Sequence, residues 1–103
     1  VVVVEAEIAG FGASGRNGGW CFAGFPYPPL KLMQRYGRDA ARAVSLAMYD
    51  SVDDVGRVCD VEGIDAHFAK GGELEIARAS YDLPRLEEMH DEFRAIGLED
   101  HYQ

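Results

Sequence analysis

The sequence predicts an α+β fold with one strand, a long connecting helix, a β-hairpin and a final helix. Three observations lead there. The chain opens on the run Val1-Val-Val-Val4, closed by Glu5. Val44, Met48, Val52, Val55 and Cys59 follow steps of four, four, three and four, which places them on one helix face. Lys70-Gly71-Gly72 separates two short runs, the second of which alternates.

Residues 1–6 read as a buried strand, since β-branched side chains pack well on a pleated surface. Residues 7–30 read as a long loop. Gly10, Gly12, Gly15, Gly18, Gly19 and Gly24, followed by Pro26, Pro28 and Pro29, leave little room for regular structure. So long a loop is uncommon in a compact domain unless it is functional. It also holds Trp20, Phe22, Phe25 and Tyr27, aromatics that need something to cover. From Leu30 to Glu62 the pattern is helical with a break at Gly37, and Gly63 is a natural stop because it tolerates the left-handed conformation.

Ala66 to Ala79 reads as a hairpin turning at Lys70-Gly71-Gly72, with Leu74 and Ile76 facing inward and Glu73 and Glu75 facing water. Ser80 or Asp82 can cap the last helix, with Pro84 in its first turn. Leu86, Met89, Phe93 and Ile96 share a face of that helix, and Gly97 ends it. Residues 98–103 are expected to begin another strand.

The 103 residues make one domain at most, or a piece of a larger one. Net charge is −8, distributed unevenly: −1 over residues 1–30, +3 over 31–48 and −10 over 49–103. An acidic chain disfavours nucleic acid and anionic membrane surfaces as partners. No apolar run reaches the roughly 20 residues of a membrane span. Cys21 and Cys59 lie 38 positions apart, neither a metal knuckle nor a C-x-x-C pair, and read as free thiols in a reducing cytoplasm. His67, His90 and His101 are scattered, and none pairs with Cys or an acid at metal-ligand spacing.

The chemistry concentrates in residues 5–19. A carboxylate at the end of an apolar segment can accept hydrogen bonds from ribose hydroxyls, and a small-residue turn lets backbone N–H groups approach a phosphate or ring. Arg16 is the one base in the first thirty residues and can offset phosphate charge. Ser14 and Asn17 add side-chain donors.

The stretch Val-Val-Val-Glu-Ala-Glu-Ile-Ala-Gly-Phe-Gly-Ala-Ser-Gly-Arg-Asn-Gly-Gly, residues 2–19, resembles the FAD-dependent oxidoreductases of the D-amino-acid oxidase superfamily. The likeness is strongest to bacterial amine and amino-acid oxidases of the gamma-glutamylputrescine oxidase type. It runs more thinly over the rest of the chain, through Phe68-Ala-Lys-Gly-Gly-Glu-Leu74. The resemblance implies an FAD cofactor and hydride removal from the carbon beside an amine. It implies that Glu5 meets the adenosine ribose, that Ala13, Ser14, Arg16 and Asn17 line the diphosphate and the flavin approach, and that Gly18 and Gly19 let backbone come close. It divides the chain into a partial, Rossmann-like FAD-binding domain (1–30, second strand and cofactor loop), a connecting helix (31–63) and the start of a substrate domain (64–103). A small amine or amino acid is the implied substrate.

The resemblance places a G-x-G-x-x-G turn, which holds a pyrophosphate on a helix N-terminus, ahead of the acidic residue, and no such turn precedes Glu5 in these residues. The sequence therefore reads as an internal fragment, inactive alone. The reading of a different class is a non-catalytic α+β module for protein interaction or self-association, a homo-oligomer joined through exposed apolar helix faces.

Overall fold

The computed structural model describes residues 2–101. Its regular structure is three helices, α1 (Pro29–Tyr36), α2 (Arg38–Glu62) and α3 (Leu83–Ala95), with short 3-10 turns at Ala13–Gly15, Ser80–Asp82 and Glu99–His101. No strand occurs among the described residues. The expected α+β class, with its opening strand and its hairpin, is therefore corrected to an all-helical arrangement.

The reason is a lack of strand partners. A strand needs a neighbour for its N–H and C=O groups, and Val2, Val3 and Val4 have none, standing exposed with no ladder beside them. Val1 lies outside the described residues, as do Tyr102 and Gln103 of the expected terminal strand. Glu99–His101 within that stretch forms a 3-10 turn.

The segment from Ala66 to Ala79 finds other partners. Phe68 packs its ring over Gly56, where a Cβ would fall 2.6 Å from Phe68 Cε1. Lys70 pairs with Asp53 of α2. Further on, the Asp82 carboxylate accepts hydrogen bonds from the backbone N–H of Arg78 (3.1 Å) and Ala79 (3.2 Å). These donors go to a side chain rather than to a second strand. Asp82 occupies the N-cap position of α3 but makes no side-chain cap bond there, because its carboxylate is turned backwards. The alternation along residues 73–79 survives with inverted phase. Leu74 and Ile76 are 82% and 71% exposed, whereas Glu75, Ala77 and Ala79 are half-buried. Arg85 of α3 holds the Glu75 carboxylate at 2.9 Å and draws that face inward.

The helices follow from local rules. Pro28 and Pro29 start α1, where a missing N–H costs nothing. Gly37, at φ 90° and ψ 164°, ends α1 by donating to Met33 O and begins α2 by accepting from Ala41 N–H. Gly63 at φ 64° closes α2, with Ile64 N–H reaching back to Cys59 O at 2.8 Å. Gly97 at φ 73° closes α3 in the same way, with Leu98 N–H bonded to Phe93 O at 2.9 Å. Both are Schellman-type ends, which need a left-handed residue.

The turn at Gly97 delivers the core. Ile96 and Leu98, on either side of it, bury completely against Leu32 of α1 and Ala41 of α2, with Met33, Val44, Leu46, Tyr49 and Phe93 packed around them. Burial of each large side chain contributes about 1.5–3 kcal/mol. Arg38, at the start of α2, donates its Nε–H to Ala95 O at 2.9 Å and so satisfies a carbonyl at the C-terminus of α3. The Tyr49 ring stacks on His101 at 4.8 Å, and burial pushes the Tyr49 pKa up. Of the expected α2 stripe, Val44, Met48, Val52 and Cys59 are half-buried and Val55 is exposed. No described helix is long and apolar enough to cross a membrane.

Two expectations follow. Gly97→Ala strains a left-handed residue and drives a Cβ to 2.6 Å from Arg38 Nη2, whereas Gly63→Ala strains the backbone in open space. Chemical denaturation should show a loss of about 1–2 kcal/mol for Gly63→Ala and a larger one for Gly97→Ala. Glu92 on α3 has its pKa raised by burial and by Glu88, against an opposing pull from Lys31 of α1. A carboxyl raised on folding contributes stability that is present at low pH and lost as pH rises through its folded value. Glu92→Gln should therefore raise the Tm at pH 7 and leave it unchanged at about pH 3, below the carboxylate range.

Candidate functional site

Residues 10–19 form a closed loop although they lie outside the helical core. Phe11 N–H bonds to Ile8 O at 2.9 Å, and Gly10 turns the chain at φ 77°. The 3-10 turn Ala13–Gly15 follows, with Arg16 N–H donating to Ala13 O at 3.0 Å. It brings Gly15 directly onto Gly10. A Cβ at Gly15 would overlap the Gly10 carbonyl, lying 2.8 Å from its carbon and closer still to its oxygen. Only glycine permits this approach of two backbones.

Asn17 ties the far side of the loop. Its Nδ2 donates to Ser14 O at 2.7 Å, and its Oδ1 accepts the Gly19 N–H at 2.8 Å. The second bond is an Asx turn, a short side chain standing in for a backbone carbonyl. Gly19 follows at φ 69°, and the Trp20 indole lies against Gly18, 3.0 Å from where a Cβ would stand.

The polar side chains of the loop with no hydrogen bond among the described residues are those of Ser14 and Arg16. No carboxylate among the described residues pairs with Arg16. Its guanidinium rests over the Phe11 ring, 5.8 Å from the centroid, an exposed cation–π contact worth about 0.5–1 kcal/mol. A contact that weak is readily exchanged for a charge-assisted bond to an anion. The Ser14 hydroxyl makes no hydrogen bond among the described residues.

Ser14, Arg16, Asn17, Gly18 and Gly19 are thus gathered in one turn, with Ala13 opening it. Glu5 stands apart. Its Oε1 accepts the N–H of Glu7 at 3.1 Å, and no hydrogen bond or ion pair joins it to residues 13–19 among the described residues. Gly10, Gly15 and Phe11 are the structural partners that reasoning from the sequence passed over. Five-residue spacing of two glycines around a small-residue turn was their one signal.

The donor set fits a dinucleotide cofactor. It offers a guanidinium and a hydroxyl with no hydrogen-bond partner among the described residues, and open backbone at Gly12 and Gly19, where nothing lies within 4 Å of a Cβ position. No group of His, Cys, Asp and Glu capable of holding a metal occurs among the described residues. Cys21 and Cys59 are free thiols. A separate open groove of about 540 Å³ beside α1, lined by Phe25, Tyr27, Lys31 and Arg35 among others, contains none of these loop residues.

Gly15→Ala should scatter the backbone amide resonances of residues 10–19 in a two-dimensional NMR spectrum. Gly12→Ala, with nothing within 4 Å of its Cβ, should shift only its neighbours.

Comparison with known proteins places this loop in context. The model of the FAD dependent oxidoreductase family matches residues 1–102. The chain is 33% identical over 97 residues to gamma-glutamylputrescine oxidoreductase of Escherichia coli (strain K12), a match that covers 94% of this chain and 22% of that protein. The chain thus spans about a fifth of the length of that curated relative. No solved structure matches it significantly.

Proposed function

This chain belongs to the FAD dependent oxidoreductase family, whose cofactor is FAD, and we propose that it supplies the cofactor loop of a flavin-dependent enzyme that oxidises an amine or amino acid. The observation that carries this reading is the closed loop with an unpaired Arg16 at its rim. Arg16 and Ser14 would hold the diphosphate, Arg16 through a planar fork suited to paired oxygens. Ala13, Gly18 and Gly19 would let backbone lie close to the cofactor, and Glu5 would accept the ribose hydroxyls. Bound FAD supplies a hydride acceptor for the carbon beside the amine.

Residues 1–30 then belong to the cofactor domain, 31–63 form the connection and 64–103 open the substrate domain. The likeness to a gamma-glutamylputrescine oxidoreductase supports a small amine or amino acid as substrate. Two free thiols, Cys21 and Cys59, suit a reducing compartment such as the cytoplasm.

Exposed Val55, Val58 and Val61 along α2 favour a second reading, self-association through that helix without catalysis. One experiment separates the two. The whole protein should purify yellow with bound FAD. Arg16→Met should lower FAD affinity about tenfold or more, as expected for loss of a charge-assisted hydrogen bond, with Arg16→Lys retaining part of it. A colourless protein indifferent to added FAD would refute the cofactor reading and leave the second.

A further inference from the structure

We propose that Asn17 is a positioning residue: it locks the loop that presents Ser14 and Arg16 and does not itself touch the cofactor. The inference rests on the FAD reading above for what the loop holds, and on geometry alone for how the loop is held.

A primary amide has a donor end and an acceptor end. In Asn17 both ends are engaged by backbone three residues before and two residues after, at Ser14 O (2.7 Å) and Gly19 N–H (2.8 Å). One hydrogen and one lone pair are left over. The group cannot turn towards a ligand, however, without releasing one of the two bonds that define the turn. Arg16, next to it in sequence, shows the opposite arrangement, with a long flexible stem and no side-chain hydrogen bond among the described residues. Ser14 shares the division within one residue: its carbonyl is held by Asn17 while its hydroxyl is free.

The clamp and the glycine contact act on opposite sides of the same loop. Gly10 and Gly15 close it by direct backbone approach, which leaves no space for a side chain. Residues 16 to 19 have no such contact, and the Asn17 side chain bridges from Ser14 to Gly19 instead. Without it, Gly18 and Gly19 have no hydrogen bond to the turn among the described residues, and Arg16 keeps its backbone bond to Ala13 O alone. The loop would then have to be ordered at the moment of binding, and affinity falls by that ordering cost.

The test compares Asn17→Ala with Asn17→Ser. A serine hydroxyl can accept the i+2 N–H in a similar turn, but it is too short to replace an amide reaching outward to a ligand. In the 103-residue chain, exchange of the Gly19 amide with water should quicken about fivefold in Asn17→Ala and return towards the native rate in Asn17→Ser. Unchanged Ile96 and Leu98 resonances would show that the helical core is intact. In the whole protein, Asn17→Ala should lower FAD affinity about tenfold, and Asn17→Ser should recover at least threefold of it.

Equal FAD affinities for the two variants, with Gly19 protection restored in Asn17→Ser, would overturn the proposal and make Asn17 a direct ligand. Equal Gly19 exchange in the native chain and Asn17→Ala would overturn it as well. A native protein that binds no FAD would refute the cofactor reading. The exchange rates alone would then decide whether Asn17 holds the loop.

Discussion

The helical part of this chain depends on one turn. Gly97 reverses the backbone at the end of α3 and places Ile96 and Leu98 on the same side, against Leu32 and Ala41. Among the described residues, the buried hydrophobic core is these four. Every helix contributes to it or ends beside it. Arg38 adds a long-range hydrogen bond from the start of α2 to the end of α3. A left-handed glycine, a pair of aliphatic side chains and one guanidinium therefore hold three helices together.

Residues 2–28 are organised by different physics. They contribute nothing to the buried core, and their large apolar side chains, Val2 to Val4, Ile8 and Trp20 among them, stand exposed. Shape there comes from short-range devices: backbone approach at Gly10 and Gly15, a 3-10 turn, and the Asn17 side chain acting on Ser14 and Gly19. This division suits a binding loop. Its rigidity is local and inexpensive, so the groups that would meet FAD are presented without being used to support the fold. Arg16 illustrates it, resting on Phe11 with its donors uncommitted.

The segment between α2 and α3 shows how a correct periodicity can still mislead. Residues 73–79 alternate as a half-buried strand should, but burial falls on Glu75, Ala77 and Ala79 instead of Leu74 and Ile76. A period of two reveals that one face differs from the other. Which face turns inward depends on what lies there, and here it is Arg85 reaching for Glu75 while Asp82 takes up the N–H groups of Arg78 and Ala79. The same holds for Val2 to Val4, whose composition suits a strand that no neighbouring strand completes.

What the sequence by itself determined was local and chemical. The breaks at Gly37, Gly63 and Gly97 were legible because left-handed or non-helical backbone favours glycine. The family and its cofactor were legible because Gly-Ala-Ser-Gly-Arg-Asn-Gly-Gly is a dense run of rarely combined residues. Of the site, the gathering of residues 13–19 was readable, since they are neighbours along the chain. Tertiary structure alone decided the rest. It chose Ile96 and Leu98 for the core, left Glu5 without a bond to the loop among the described residues, turned the Asn17 amide onto Ser14 and Gly19 and replaced the expected hairpin with ion pairs. Each of these outcomes depends on which group arrives opposite another, and a one-dimensional pattern carries no information about that.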